Sequence, residues 1–147
     1  MKVGQHVVVS AAFSGVLYYL CPCWRMAVAA FLAGVLIDLD HFVDYIAEFG
    51  IRSDWRNFFS SFYKGQYTRI YVVLHAWEWL LVLGAVSLLG DGNAWVAGIL
   101  LGAIQHLVLD QLANGASGMG YSLLWRWSTG FDPAPAFPHK KRMLFGP

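Results

Sequence analysis

Asp38, Asp40, His41 and Asp44 fall within seven positions, at the end of an apolar run that begins near Met26. An Asp at the centre of a membrane helix costs about 2.5–3.5 kcal/mol on insertion scales. Several such charges in one helix need compensation, and a bound cation supplies it most directly. At about 100° per residue, Asp40, His41 and Asp44 lie within an arc of roughly 100°, with Asp38 flanking His41. That arc reads as one ligand face. The plainer alternative is a helix end that reaches the headgroups and is simply solvated there.

Three other segments carry the same residue types. His6 stands near the start of the chain, His75 and Glu78 are spaced i, i+3, and His106 and Asp110 are spaced i, i+4. Both spacings put the two side chains on one helix face. Metal sites in helical bundles are made from His and carboxylate side chains that project inward from several helices. His6, Asp38, Asp40, His41, His75, Glu78, His106 and Asp110 suffice for one or two ions. The ligand types point to zinc first, with manganese or iron next. Two adjacent ions are a recurrent device for phosphoester hydrolysis, because both stabilise developing charge and one activates water. A carboxylate left over from ligation, Asp44 or Glu78, is then the candidate general base. The competing reading of the set is a proton-relay network without metal.

The elements that must position these residues are membrane helices. Of the 147 residues, 58% are hydrophobic and 13% are charged, against about 25% charged in an average soluble domain. The formal net charge of +1 gives no reason to expect nucleic acid as a partner. The pattern predicts an all-α, four-transmembrane-helix bundle, with spans at about residues 3–20, 24–46, 70–89 and 94–113. These form one membrane domain over residues 1–132, followed by an extended basic tail over 133–147. Each span can cross about 30 Å of hydrocarbon. Lys2 followed by an apolar run resembles a signal peptide, but no small-x-small cleavage site follows. Between spans two and three, Trp55, Phe58, Phe59, Phe62 and Tyr63 recur at helical spacing, which predicts an interfacial amphipathic helix. A short helix capping the bundle is the alternative there. Residues 114–120 read as a flexible loop, and 121–127 as interfacial. His139 sits in the basic tail and reads as solvated or lipid-facing. Cys21-Pro22-Cys23 is poorly spaced for a disulfide and reads as a turn between helices. Gly98-x-x-x-Gly102 is a spacing through which two copies could form a homo-oligomer.

The order of His6, then Asp38-Leu39-Asp40-His41, then His75, then His106-Leu-Val-Leu-Asp110 resembles the YdjM-like inner-membrane metal-dependent hydrolases of bacteria, over about residues 1–115. That family is viewed as a distant relative of zinc-dependent phospholipase C and the single-strand nucleases, so the resemblance implies metal and hydrolysis without naming a substrate. The chain departs where a His-Arg-Gly-x-x-His-Ser pattern would commonly stand. Here the residues are Leu74-His75-Ala76-Trp77-Glu78, so either Glu78 replaces the missing His or the second ion is absent.

Three functions fit these residues. The first is hydrolysis of a phosphoester in a lipid or lipid-linked substrate, with Arg52, Arg56, Lys64 and Arg69 suited to its head group. The second is metal or proton transport, which needs polar groups through the whole membrane depth; residues 11–20, 26–37, 79–89 and 94–104 contain no ionisable group except the tyrosines of span one. The third is a non-catalytic protein with a structural or sensory metal site. Lys2, the 48–69 connection and Lys140, Lys141 and Arg142 carry most of the positive charge. The positive-inside rule therefore places both termini in the cytoplasm of a bacterial inner membrane. All the candidate ligands then lie in the cytoplasmic half.

Overall fold

The structure is a computed structural model that describes residues 3–51, 56, 58, 60–61 and 67–138. The described residues are helical or irregular, with no strand among them. Helix α1 spans Val3–Leu20 and α2 spans Trp24–Leu36. A single 3-10 turn, Ile37–Asp40, joins α2 to α3, His41–Phe49. Helix α4 is Trp77–Leu89 and α5 is Ala94–Ala113. Two short helices follow, α6 at Leu123–Ser128 and α7 at Pro133–Ala136.

Local chemistry sets these ends. Pro22 lacks an N–H and interrupts the ladder between α1 and α2. Gly50, at φ 74°, closes α3 by donating its N–H to the Ile46 carbonyl, as a glycine just past a helix does. The Gly90–Asn93 turn takes positive φ at Asp91 and Gly92. Asn93 then caps α5 by accepting the Trp95 N–H at 2.9 Å.

Three helices are long and apolar enough to cross a membrane: Val3–Leu20, Trp24–Phe49 and Ala94–Ala113. Helix α4 is equally apolar but has 13 residues, about 20 Å of helix. The helix expected from residue 70 begins only at Trp77, because residues 70–76 are held in irregular backbone by side chains described below. Of the interfacial helix, Trp55, Phe59, Phe62 and Tyr63 lie outside the described residues. Phe58 is buried, stacking on Phe42 with ring centroids 4.3 Å apart. Lys2, Arg52, Lys64 and the basic tail from His139 onward also lie outside them. The start of the tail is not extended. Residues Pro133–Ala136 form a helical turn, and Ala136 and Phe137 pack on Leu107 and Tyr121.

Burial in this chain is inverted relative to a water-soluble protein. Among the most buried large side chains are Arg126, His6, His75 and His106, while Leu20, Leu81, Leu88, Leu89 and Leu112 are exposed. Such an exterior suits hydrocarbon and not water. The interior is assembled by close approach of small residues. Ala27, Ala29, Ala30 and Gly34 of α2 are buried, and Gly98 and Gly102 of α5 pack against α2. A Cβ on Gly98 would collide with the Met26 carbonyl oxygen, and one on Gly102 with that of Ala30. The Gly-x-x-x-Gly spacing is therefore spent inside the chain, pairing α5 with α2.

Gly102→Ala is accordingly expected to destabilise by about 1–3 kcal/mol, seen as a lowered thermal midpoint in detergent. Gly84→Ala, where a Cβ meets nothing within 4 Å, should leave the midpoint unchanged or raise it.

Candidate metal centre

Four parts of the chain converge at one end of the bundle. His6 comes from α1, Asp38 and His41 from the 3-10 turn and the start of α3, His75 from the irregular segment, and His106 and Asp110 from α5. The 3-10 turn divides the acidic cluster in two. In a 3-10 helix residues i and i+3 eclipse, which brings Asp38 Oδ1 within 3.6 Å of His41 Nε2. Asp40 and Asp44 turn instead toward residues 70–76. The single ligand face expected from α-helical spacing is thus two faces with different tasks.

On the first face, imidazole nitrogens and carboxylate oxygens crowd together. Asp38 Oδ1 lies 3.4 Å from His75 Nε2 and 3.5 Å from His106 Nε2. Asp110 Oδ2 lies 3.6 Å and 3.7 Å from the same two nitrogens. Ligands held about 2.0–2.1 Å from a tetrahedral zinc ion stand about 3.3–3.4 Å apart, so these separations are compatible with a ligand set.

The tautomers follow from the partners on the far side of each ring. His106 Nδ1 is 2.8 Å from the Gly34 carbonyl oxygen, which can only accept, so Nδ1 carries the hydrogen. His75 Nδ1 is 3.0 Å and 3.1 Å from the two Asp40 oxygens; an ionised carboxylate likewise only accepts. With both rings neutral, each presents an Nε2 lone pair to the cluster, and those two nitrogens are 3.0 Å apart. Lone pairs opposed at that distance, beside two carboxylates, call for positive charge at the cluster, as a metal ion or a shared proton. His6 stacks on His106 with ring centroids 4.1 Å apart. Its Nε2 is 3.0 Å from Asp110 Oδ1, yet among the described residues neither ring nitrogen makes a well-directed hydrogen bond. Buried polar atoms left in this way call for a bound ion or water.

The donor set thus fits a metal ion. Two overlapping groups could hold one: His6, Asp38, His106 and Asp110, and Asp38, His41 and His75. Asp40 stands behind His75, in the place of an outer carboxylate that orients a metal-binding imidazole.

The remaining two carboxylates have other work. Asp44 Oδ1 accepts the N–H groups of Tyr71 and Val72 at 2.8 and 3.2 Å, while Asp40 Oδ2 accepts those of Leu74 and His75. Glu78 accepts from Ser122 Oγ at 2.6 Å and from the N–H groups of Leu123 and Leu124. It anchors the start of α6 and belongs to neither ligand group, so it does not replace the missing histidine there.

Sequence reasoning passed over Arg126. Its side chain is buried and donates to the carbonyls of Tyr71, Val72, His75 and Ser122. Burial lowers its pKa, against the opposing pull of Asp40, Asp44 and Glu78. Residues 70–76 are therefore suspended between carboxylates that take their N–H groups and a guanidinium that takes their carbonyls. Irregular backbone at membrane depth is tolerated only where such partners exist. The clamp even holds Val72 at φ 32°, a conformation that costs a β-branched residue about 1–3 kcal/mol.

No family model, curated protein or solved structure matches the chain.

Proposed function

We propose that this chain is a membrane-embedded metal-dependent hydrolase acting on a phosphoester in a lipid or lipid-linked substrate. The observation that carries the proposal is the pair of opposed Nε2 atoms of His75 and His106, 3.0 Å apart and flanked by Asp38 and Asp110. Zinc is the ion that imidazole and carboxylate suit first, then manganese or iron. A divalent ion held there supplies Lewis acidity toward water and toward a phosphoryl oxygen. In the reaction the water oxygen bonds to phosphorus, the P–O ester bond breaks, and the water proton passes to the departing alkoxide. Asp44 and Glu78 accept hydrogen bonds from residues 71–72 and 122–124, so neither is left to relay that proton. The resemblance to the YdjM-like hydrolases supports the reaction class.

Four crossings are part of the proposal, with residues 70–89 forming the third as irregular segment plus α4. An even number returns the chain to the side on which it began. The positive-inside rule supports the cytoplasm for that side, so in this reading the ligand cluster faces the inner leaflet, and the exposed Arg56 and Arg69 belong to the connection on that side. In single-cysteine variants of intact cells, cysteine at Asn93 is expected to react with a membrane-impermeant thiol reagent. Cysteine at Arg69 should react only after permeabilisation, and the reverse pattern would move the site to the outer face.

The activity test is a panel of phospholipids, polyprenyl phosphates and simple phosphodiesters with added zinc or manganese. Turnover is expected to fall at least 100-fold on chelation and in Asp38→Asn. Activity that survives both would end the assigned mechanism. Stoichiometric metal with no turnover on any substrate would favour a structural or sensory site.

A further inference from the structure

The ligand cluster is not uniform, and its two groups differ in ways that matter to a metal. His6, His106 and Asp110 are all at most 2% exposed. They come from α1 and α5, helices that Asp38 then ties to the end of α2. With Asp38 they make four protein ligands, the number that fills a tetrahedral ion and leaves no position open. The second group, Asp38, His41 and His75, has three ligands. The His41 side chain is 17% exposed and that of Asp38 11%, whereas those of His75 and His106 are fully buried. Three protein ligands, two of them on side chains that reach the surface of the chain, is the arrangement that leaves room for water or substrate.

Charge points the same way. Asp38, Asp40, Asp44 and Asp110 are four carboxylates gathered around the cluster and its supporting segment, and Arg126 is a buried cation beside them, so the cluster draws further positive charge.

We infer that the cluster comprises two cation positions of unequal character sharing the Asp38 carboxylate: an inner, closed one and an outer, open one. The inner position (His6, Asp38, His106, Asp110) joins α1, α2 and α5 and serves the fold. The outer position (Asp38, His41, His75) takes the phosphoester substrate and its attacking water. This assignment rests on the metallohydrolase reading, and it adds which ion does which task.

The test is metal stoichiometry and lability, with hydrolysis as a separate readout. Detergent-purified wild type reconstituted with zinc should hold two equivalents, and brief dialysis against a chelator should remove one while leaving the thermal midpoint nearly unchanged. His41→Ala should hold one equivalent, keep most of the midpoint, and lose at least 100-fold in turnover. His6→Ala should lose the tightly held ion and most of the metal-dependent midpoint shift. Should His6→Ala fail to fold, cobalt titration of metal-free wild type gives the same information: two successive phases, the first strongly coloured as four-coordinate cobalt is. A single equivalent in wild type, or loss of both ions in His41→Ala, would overturn the two-position inference and leave the metallohydrolase reading standing. Two ions of unequal lability with no turnover would do the opposite. No bound metal at all would end both.

Discussion

Arg126→Met is expected to abolish recovery of folded protein, or to lower stability by about 5 kcal/mol or more. The substitution keeps an apolar side chain of similar length but removes every donor. The carbonyls of Tyr71 and His75 would lose the donor that Arg126 gives them, while those of Val72 and Ser122 would keep only the N–H groups of His75 and Arg126. A buried acceptor left unsatisfied costs about 1–3 kcal/mol, and removing one member of a buried charged set costs about 3–5 kcal/mol. Total stabilities are only about 5–15 kcal/mol, so these losses are of the same order as the whole. Arg126→Lys should recover part of the effect, because an ammonium on a flexible stem cannot reproduce the planar fork that reaches several carbonyls at once. The control is Arg25→Met. Arg25 is exposed beside Trp24, and its loss should change stability by no more than about 0.5 kcal/mol. Size-exclusion profiles and thermal midpoints in one detergent would decide it. An Arg126→Met protein with an unchanged midpoint would show that the clamp does not place His75.

The helices were legible where turn chemistry is local. Cys21-Pro22-Cys23 and Gly90-Asp91-Gly92-Asn93 mark their own boundaries, and α1 and α5 occupy the residues expected of spans one and four. The gathering of His6, Asp38, His41, His75, His106 and Asp110 was legible from residue type and helical spacing. What could not be read was anything decided by distant partners. Residues 70–76 are as apolar as a helix interior, and only Asp40, Asp44 and Arg126, far away in sequence, hold them out of helix. The 3-10 turn likewise carries no signal of its own, yet it parts Asp38 and His41 from Asp40 and Asp44. Glu78 stands at helical spacing from His75 in the sequence. Because α4 starts only at Trp77, the two lie on different elements and Glu78 meets α6. Arg126 did leave one signal: a lone arginine between two tryptophans in an apolar stretch must find acceptors.

Removing the proposed metal should loosen the bundle more than any single ligand contact would suggest. His6 on α1, Asp38 at the end of α2, and His106 and Asp110 on α5 meet at this cluster, beside the small-residue seam and the Ser10–Gln105 hydrogen bond that joins α1 to α5. Without a cation, the Asp38 and Asp110 carboxylates face one another's field and the Nε2 lone pairs of His75 and His106 stand opposed in a buried site. An ion that binds only the folded chain stabilises by RT ln(1 + [L]/Kd), about 4 kcal/mol at a thousandfold excess over Kd. For a chain of this length each kcal/mol moves the midpoint by about 2–4 °C. Exhaustive chelation of wild type is therefore expected to lower the midpoint by about 10 °C, and zinc should restore it where magnesium does not. Asp38→Asn keeps the volume and removes the shared charge, so its midpoint should scarcely respond to chelator. His139→Ala, remote in sequence from every ligand, should respond as wild type does. Elemental analysis of the same samples ties the shift to the ion. A midpoint indifferent to chelation, in protein free of metal, would leave the cluster to be satisfied by protons alone.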